Sequence, residues 1–293
     1  MNRIFRSSNR LLRLCFLATL VVVTCFTVVA CSGSSDTAGD TANGVQEVVV
    51  ATEDDYPPYD FLQDGEHVGY NQELLELVTQ DAPFTVKQEI LPFQGILTGI
   101  ATNKYDATNA AVAILEERLA TVDFTMPTAD ITNYMIKRQG DPISSIDDLA
   151  GKTIGVQQGS ITAQLVAEVI NPQLKSSNKP EAKTTEYGAF AEAYQDLENK
   201  RLDVVINNLV ALTETVQAKP DVFEIIEEPV GDRLYAAWAV KKGNEEVLNA
   251  FNEGIAKAKA DGSLQTLQEK WLNVSFDLPD QPMLPGGKEI PAS

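Results

Sequence analysis

Apolar residues recur along this chain with two periods, and the two alternate. Short β-branched or apolar runs at 48–51, 84–90 and 105–110 predict strands. Between them Leu74, Leu77 and Val78 (within 69–80), and Ile96, Leu97 and Ile100 (within 93–103), return at helical spacing. The alternation resumes after about Gly140. Strands are predicted at 152–156, 182–186, 202–206, 222–226 and 234–240. Helices are predicted from Gly159-Ser160 through Ile170, on the Phe190, Ala193, Leu197 stripe, and over 209–217. Val247, Leu248, Phe251 and Ile255, then Leu264, Leu267 and Trp271, mark two final helices. Residues 274–293 hold four prolines and Gly286-Gly287, and read as an irregular tail. Strands alternating with helices imply an α/β fold with mostly parallel sheets, here in two runs. The pattern leaves open which run takes the last helices.

The first thirty residues read differently. Arg3, Arg6, Arg10 and Arg13 precede an uncharged run from Leu14 to Ala30, the layout of a secretory leader. Val28-Val29-Ala30-Cys31 resembles a bacterial lipobox, with Cys31 as the acylated residue after cleavage. A retained membrane anchor is the alternative for this apolar run. Residues 31–44 carry no large apolar side chain and read as a flexible tether.

Charge narrows the function classes. The 293 residues include 42 acidic and 23 basic ones, for a net charge of −19, or −23 once the four leader arginines are gone. Such a chain cannot neutralise a row of phosphates, so nucleic acid is not its partner. His67 is the only histidine, which excludes a multi-histidine zinc site. Cleavage also removes Cys15 and Cys25, leaving Cys31 without an intramolecular disulfide partner. No motif demands a metal or a cofactor.

Several motifs, in order, carry a resemblance. They are Tyr56-Pro57-Pro58-Tyr59-Asp60-Phe61; Asp64-Gly65 through Gly69-Tyr70-Asn71; and Phe93 through Lys104-Tyr105-Asp106-Ala107. Glu117-Arg118 with Val122-Asp123-Phe124-Thr125-Met126-Pro127 follows, then Asp148-Leu149-Ala150-Gly151-Lys152 through Gly159-Ser160. Asp261-Gly262-Ser263 through Lys270-Trp271 closes the series. Together they resemble the family 3 extracellular solute-binding proteins, receptors of ABC importers for amino-acid-type solutes. The resemblance implies a two-lobe, type II periplasmic-binding-protein-like fold with the ligand in the interlobe cleft. Lobe 1 would be 45–136 plus 237–273 and lobe 2 would be 137–236, with hinges near 134–137 and 235–238.

The same resemblance assigns a site. Arg118 would hold a ligand carboxylate, which a guanidinium can grip through both oxygens; on its own it reads as a solvated helix arginine beside Glu116 and Glu117. Ser160 and Ile161 would offer amides at a helix start, with a plain serine cap as the ordinary reading. Ala111 and Ala113 stand where main-chain groups and often hydroxyls bind, so this wall is more apolar than usual. Glu53, Tyr56 and Phe93 would face the ligand side chain; an acidic turn and core aromatics are their ordinary readings. Asn208 stands where an aspartate commonly pairs the ligand ammonium. Either Glu53 supplies that charge, or the solute lacks an ordinary α-ammonium.

The expectation is a monomeric, lipid-anchored extracytoplasmic protein that captures a small carboxylate and docks to an ABC permease, without catalysis or cofactor. Two alternatives remain: a cyclohexadienyl dehydratase on the same scaffold, eliminating water and carbon dioxide from prephenate or arogenate, and a sensor acting through a membrane partner.

Overall fold

The computed structural model describes residues 45–291, so the leader, Cys31 and the tether lie outside the described residues. The chain opens with β1 (Glu47–Thr52), whose Val48, Val50 and Ala51 are fully buried. A three-stranded antiparallel sheet follows, of β2 (Asp55–Tyr56), β3 (Asp60–Gln63) and β4 (Glu66–Val68). Then come α1 (Tyr70–Val78), β5 (Thr85–Ile90), α2 (Phe93–Ala101) and β6 (Ala107–Ala113), every residue of β6 being buried. Strands β7 (Val122–Phe124) and β8 (Ala129–Asp130) complete this first part.

The second part begins with β9 (Asn133–Arg138) and β10 (Thr153–Gln157). Its long helix runs over 162–176 as α3 (Thr162–Leu165), a π turn (Val166–Ile170) and α4 (Asn171–Ser176). This helix passes beyond the expected end at Ile170. Pro172 near the start of α4 lacks an N–H to donate, and the π turn just before it takes up the break in the ladder. Next are β11 (Lys183–Tyr187), α5 (Phe190–Glu198), β12 (Val204–Asn208), α6 (Leu209–Ala218) and β13 (Phe223–Val230). The chain then returns through β14 (Tyr235–Lys241), α7 (Glu245–Asp261) and α8 (Ser263–Leu272).

Two main sheets result. The first has the order β5-β1-β6-β14-β7, with β8 also on β14; the second has the order β11-β10-β12-β9-β13. In each, only the first three strands are parallel. The remaining pairs are antiparallel, so the sheets are mixed rather than mostly parallel. The reason is topological. Strand β14 enters the first sheet, and β9 the second, by crossing from the other sheet, so neither follows a right-handed βαβ connection. Since β14 pairs with β6, the last two helices return to the first lobe, with α7 and α8 packed on α1.

The crossings lie a few residues before the expected hinges. The chain leaves β8 at Asp130 and enters β9 at Asn133; it leaves β13 at Val230 and enters β14 at Tyr235. Ile131 N donates to Leu234 O at 2.8 Å, and Arg233 Nε to Asp130 Oδ2 at 2.7 Å, so the crossing segments are tied to each other. The tail also departs from expectation. Met283–Leu284 and Lys288–Glu289 form a short hairpin (β15, β16), and Leu278 and Leu284 are buried in the core. Gly286 N donates to Arg233 O at 2.9 Å, which fixes the tail to one crossing segment. Prolines predicted irregularity here, but two buried leucines and hydrogen bonds through Phe276 N, Lys259 Nζ and Gly286 N supply the anchor.

Candidate functional site

In open α/β sheets the strand carboxyl ends face the crevice where ligands bind. Here β1 leads into Glu53, β5 is followed within three residues by Phe93, and β6 ends at Ala113. Across the gap β10 ends at Gln157, β11 leads to Phe190 and β12 ends at Asn208. These ends enclose a cavity of about 30 Å³. By volume that is room for roughly two waters.

Eight of the nine expected residues line it: Glu53, Tyr56, Phe93, Ala111, Ala113, Ser160, Ile161 and Asn208. Arg118 lies beside it, half-buried in the 3₁₀ turn Glu116–Ala120. Its Nη1 donates to Ala113 O at 3.0 Å and its Nη2 to Gly159 O at 3.2 Å, so it spans the gap between the lobes. It has no carboxylate partner among the described residues, and burial pushes its pKa down to about 10. Two of its five N–H donors are used by these carbonyls. A desolvated guanidinium without a counter-ion favours an incoming anion.

Glu53 is the opposite pole. Its side chain is almost fully buried; Oε2 accepts from Gln157 Nε2 at 3.3 Å, and Oε1 has no partner among the described residues. Burial raises its pKa well above the ordinary value, and the nearby charges of Asp60 and Asp55 add to that. Behind it Asp60, fully buried, accepts from Asn71 Nδ2 at 2.6 Å and Thr52 Oγ1 at 3.2 Å; burial pushes it up to about 7. His67 closes this back wall, its Nε2 3.0 Å from Glu53 O and its Nδ1 3.1 Å from Gln72 Oε1.

Asn208 has a local job. Its Oδ1 accepts from Ala211 N at 3.0 Å, capping α6, and from Tyr59 Oη at 3.4 Å, while its Nδ2 donates to Tyr56 Oη. Ser160 is equally committed: Oγ donates to Gln157 O at 2.9 Å and meets Thr162 Oγ1 at 2.8 Å. Ile161 N–H has no protein acceptor among the described residues. Gly159 has φ +76°, and a Cβ there would stand 2.9 Å from Gln94 Cα, so only glycine lets the lobes approach at this turn.

Gln157, Phe190 and Asn207 also line the cavity and were not expected. Tyr56 Oη donates to Asn207 Oδ1 at 2.7 Å, and Tyr56 stacks on Phe190 with centroids 5.4 Å apart. The strand-end rule would have found all three, because each ends a parallel strand or closely follows one. Among the described residues no cluster of metal-ligating side chains occurs, and no helix is long and apolar enough to cross a membrane.

Residues 48–274 match the model of the bacterial extracellular solute-binding proteins, family 3. The chain belongs to that family. Among its relatives, a probable histidine-binding protein from Campylobacter jejuni is 26% identical over 257 residues, covering 87% of this chain and 96% of the relative. An ancestral arginine-binding protein solved with arginine superposes with a TM-score of 0.69 at 30% identity, covering 77% of this chain and 97% of the other. The structure of AncCDT-1, an ancestral amino-acid-binding protein and a precursor of cyclohexadienyl dehydratase, gives 0.68 at 25%, covering 77% and 95%. The type II fold and a role in extracytoplasmic solute binding follow from family membership.

Proposed function

We propose that this protein captures a small carboxylate that also carries a cationic group, and delivers it to an ABC permease by interlobe closure. The observation that carries this reading is a pair of opposite ionisable groups, Glu53 lining the cavity and Arg118 beside it, neither in an ion pair among the described residues. Among those residues Glu117 acts on Arg118 only through its nearby charge, and Glu53 has a buried oxygen with no donor. A solute with a carboxylate at one end and a protonated nitrogen at the other neutralises both. The relatives named as histidine- and arginine-binding agree with that chemistry. Asn208, neutral and engaged as a helix cap, leaves Glu53 as the anion for the cation. Phe93 then lines the wall beside the side chain, and the Ile161 amide assists Arg118 at the carboxylate.

Calorimetry with plain amino acids, betaines and polyamines tests the reading. Basic amino acids should bind wild type tightly, and Asn208→Asp should change their affinity by less than Glu53→Gln does. A preference for betaines over arginine and lysine would transfer the assignment to a solute without an α-ammonium. We place the protein on the outer side of the membrane, monomeric, held by acyl chains on Cys31. Radiolabelled palmitate should enter wild type and not Cys31→Ser.

A dehydratase reading has one observation in its favour. Burial beside aromatic rings favours the protonated form of Glu53, the form a general acid needs. Incubation with prephenate should leave its absorbance unchanged; turnover lost in Glu53→Gln would make the protein an enzyme.

A further inference from the structure

The cavity does not stop at Tyr56. On the far side of that ring a second cavity of about 460 Å³ opens, sharing Tyr56, Phe190 and Asn207 with the first as a common wall. The wall is a closure contact. Tyr56 belongs to β2 of the first lobe, whereas Phe190 and Asn207 belong to α5 and β12 of the second. Parting of the lobes removes the Tyr56–Asn207 hydrogen bond and the Tyr56–Phe190 stack, and the two compartments become one. A solute bound before closure can therefore lie across this line in place of the Tyr56–Phe190 stack, its middle between the two parted rings.

The outer compartment has its own chemistry. Pro57, Tyr194, Ala218 and Phe223 give it an apolar lining. Asp55, Glu198 and Glu214 also reach it. Glu198 is neutralised by Lys219 at 2.5 Å, but Asp55 and Glu214 have no cationic partner among the described residues. An apolar chamber with two uncompensated acids suits an apolar stem with a positive end. The inner cavity, at about 30 Å³, is far smaller than this outer one.

We propose that the solute is longer than one amino acid. It is a dipeptide-sized carboxylate whose head lies near Arg118 and whose cationic far end passes between Tyr56 and Phe190 into the outer compartment. This rests on the carboxylate-binding reading above and specifies its substrate class. Calorimetry with L-alanine, L-arginine and the dipeptides Arg-Ala and Glu-Ala provides the test. Arg-Ala should bind at least ten-fold tighter than either free amino acid, and Glu-Ala should bind more weakly than Arg-Ala by a similar factor. Ala218→Trp, at an exposed site that fills the outer compartment, should erase the gain and leave the affinity for arginine unchanged. Glu214→Lys should do the same through charge, without change of backbone or core. Free arginine binding as tightly as Arg-Ala, or a dipeptide gain that survives both variants, overturns the proposal. If neither free amino acids nor dipeptides bind wild type, the carboxylate reading itself fails and takes this one with it.

Discussion

A guanidinium and a carboxyl group dominate this protein at the scale of single residues. Arg118→Ala should reduce affinity for a carboxylate solute by at least about 30-fold, since truncating one partner of a buried charge pair costs about 2–5 kcal/mol. The ligand-free melting temperature should change little, because Arg118 is half-buried and its guanidinium bonds, among the described residues, to two carbonyls. Unchanged affinity in calorimetry would remove Arg118 from the site. Glu53 adds a pH dependence of known sign. Burial raises its pKa, so a cationic solute that favours the ionised form binds with release of a proton. Affinity should therefore fall as pH is lowered, and Glu53→Gln should flatten the profile as well as weaken binding about ten-fold or more. An equally steep profile in that variant would point to another group. Tyr56, Phe93, Arg118 and Ser160 were legible in the sequence because they sit inside ordered motifs, whereas Glu53, Ala111, Ala113, Ile161 and Asn208 lie between motifs and were placed only by the resemblance. Gln157, Phe190 and Asn207 were passed over because the resemblance gives them no role, although each lies at or within three residues of the end of a parallel strand.

Elements explain what the periodicity could and could not say. Strands β6 and β12 are buried along their whole length and β1 along most of its own, and each shows up as a largely apolar run with few polar interruptions. Strand β9, Asn-Tyr-Met-Ile-Lys-Arg, has no such run, yet it lies between β12 and β13 and is paired on both sides. Its partners are distant in sequence, so its two basic residues masked it. The strands of the small Tyr56 sheet are two to four residues long, too short for any period to register. The turn after β10 supports a prediction of its own. Gly159→Ala would force a left-handed backbone onto alanine and press its methyl onto Gln94. Solute affinity should drop by about ten-fold or more, because the clash exists only when the lobes meet. The interlobe distance in saturating solute, measured by scattering, should be larger than in wild type.

At the scale of the whole molecule, acidity and burial combine in the response to pH. Asp60 has its pKa raised to about 7, so the folded protein holds a proton there that the unfolded chain releases above about pH 4. The stabilisation is fully present below the unfolded value and is lost as pH rises through 7. The ligand-free protein should melt at a higher temperature at pH 5 than at pH 8, and Asp60→Asn should reduce that difference. The same slope in both would assign the effect to the general negative charge of the chain. The tail belongs to this scale too. Chain termination after Asn273 should lower the melting temperature by several degrees, because Leu278 and Leu284 each lose a buried side chain worth about 1.5–3 kcal/mol.

That tail reaches beyond the family match at residue 274 and is bonded to Arg233, on one of the two segments that join the lobes. Any rotation about that segment must carry Gly286 and its hairpin along. A fluorescent dye on a cysteine introduced at Glu289, an exposed position away from the binding surface, should thus change brightness when solute arrives. The C-terminal hairpin would serve as a ready optical gauge of solute concentration.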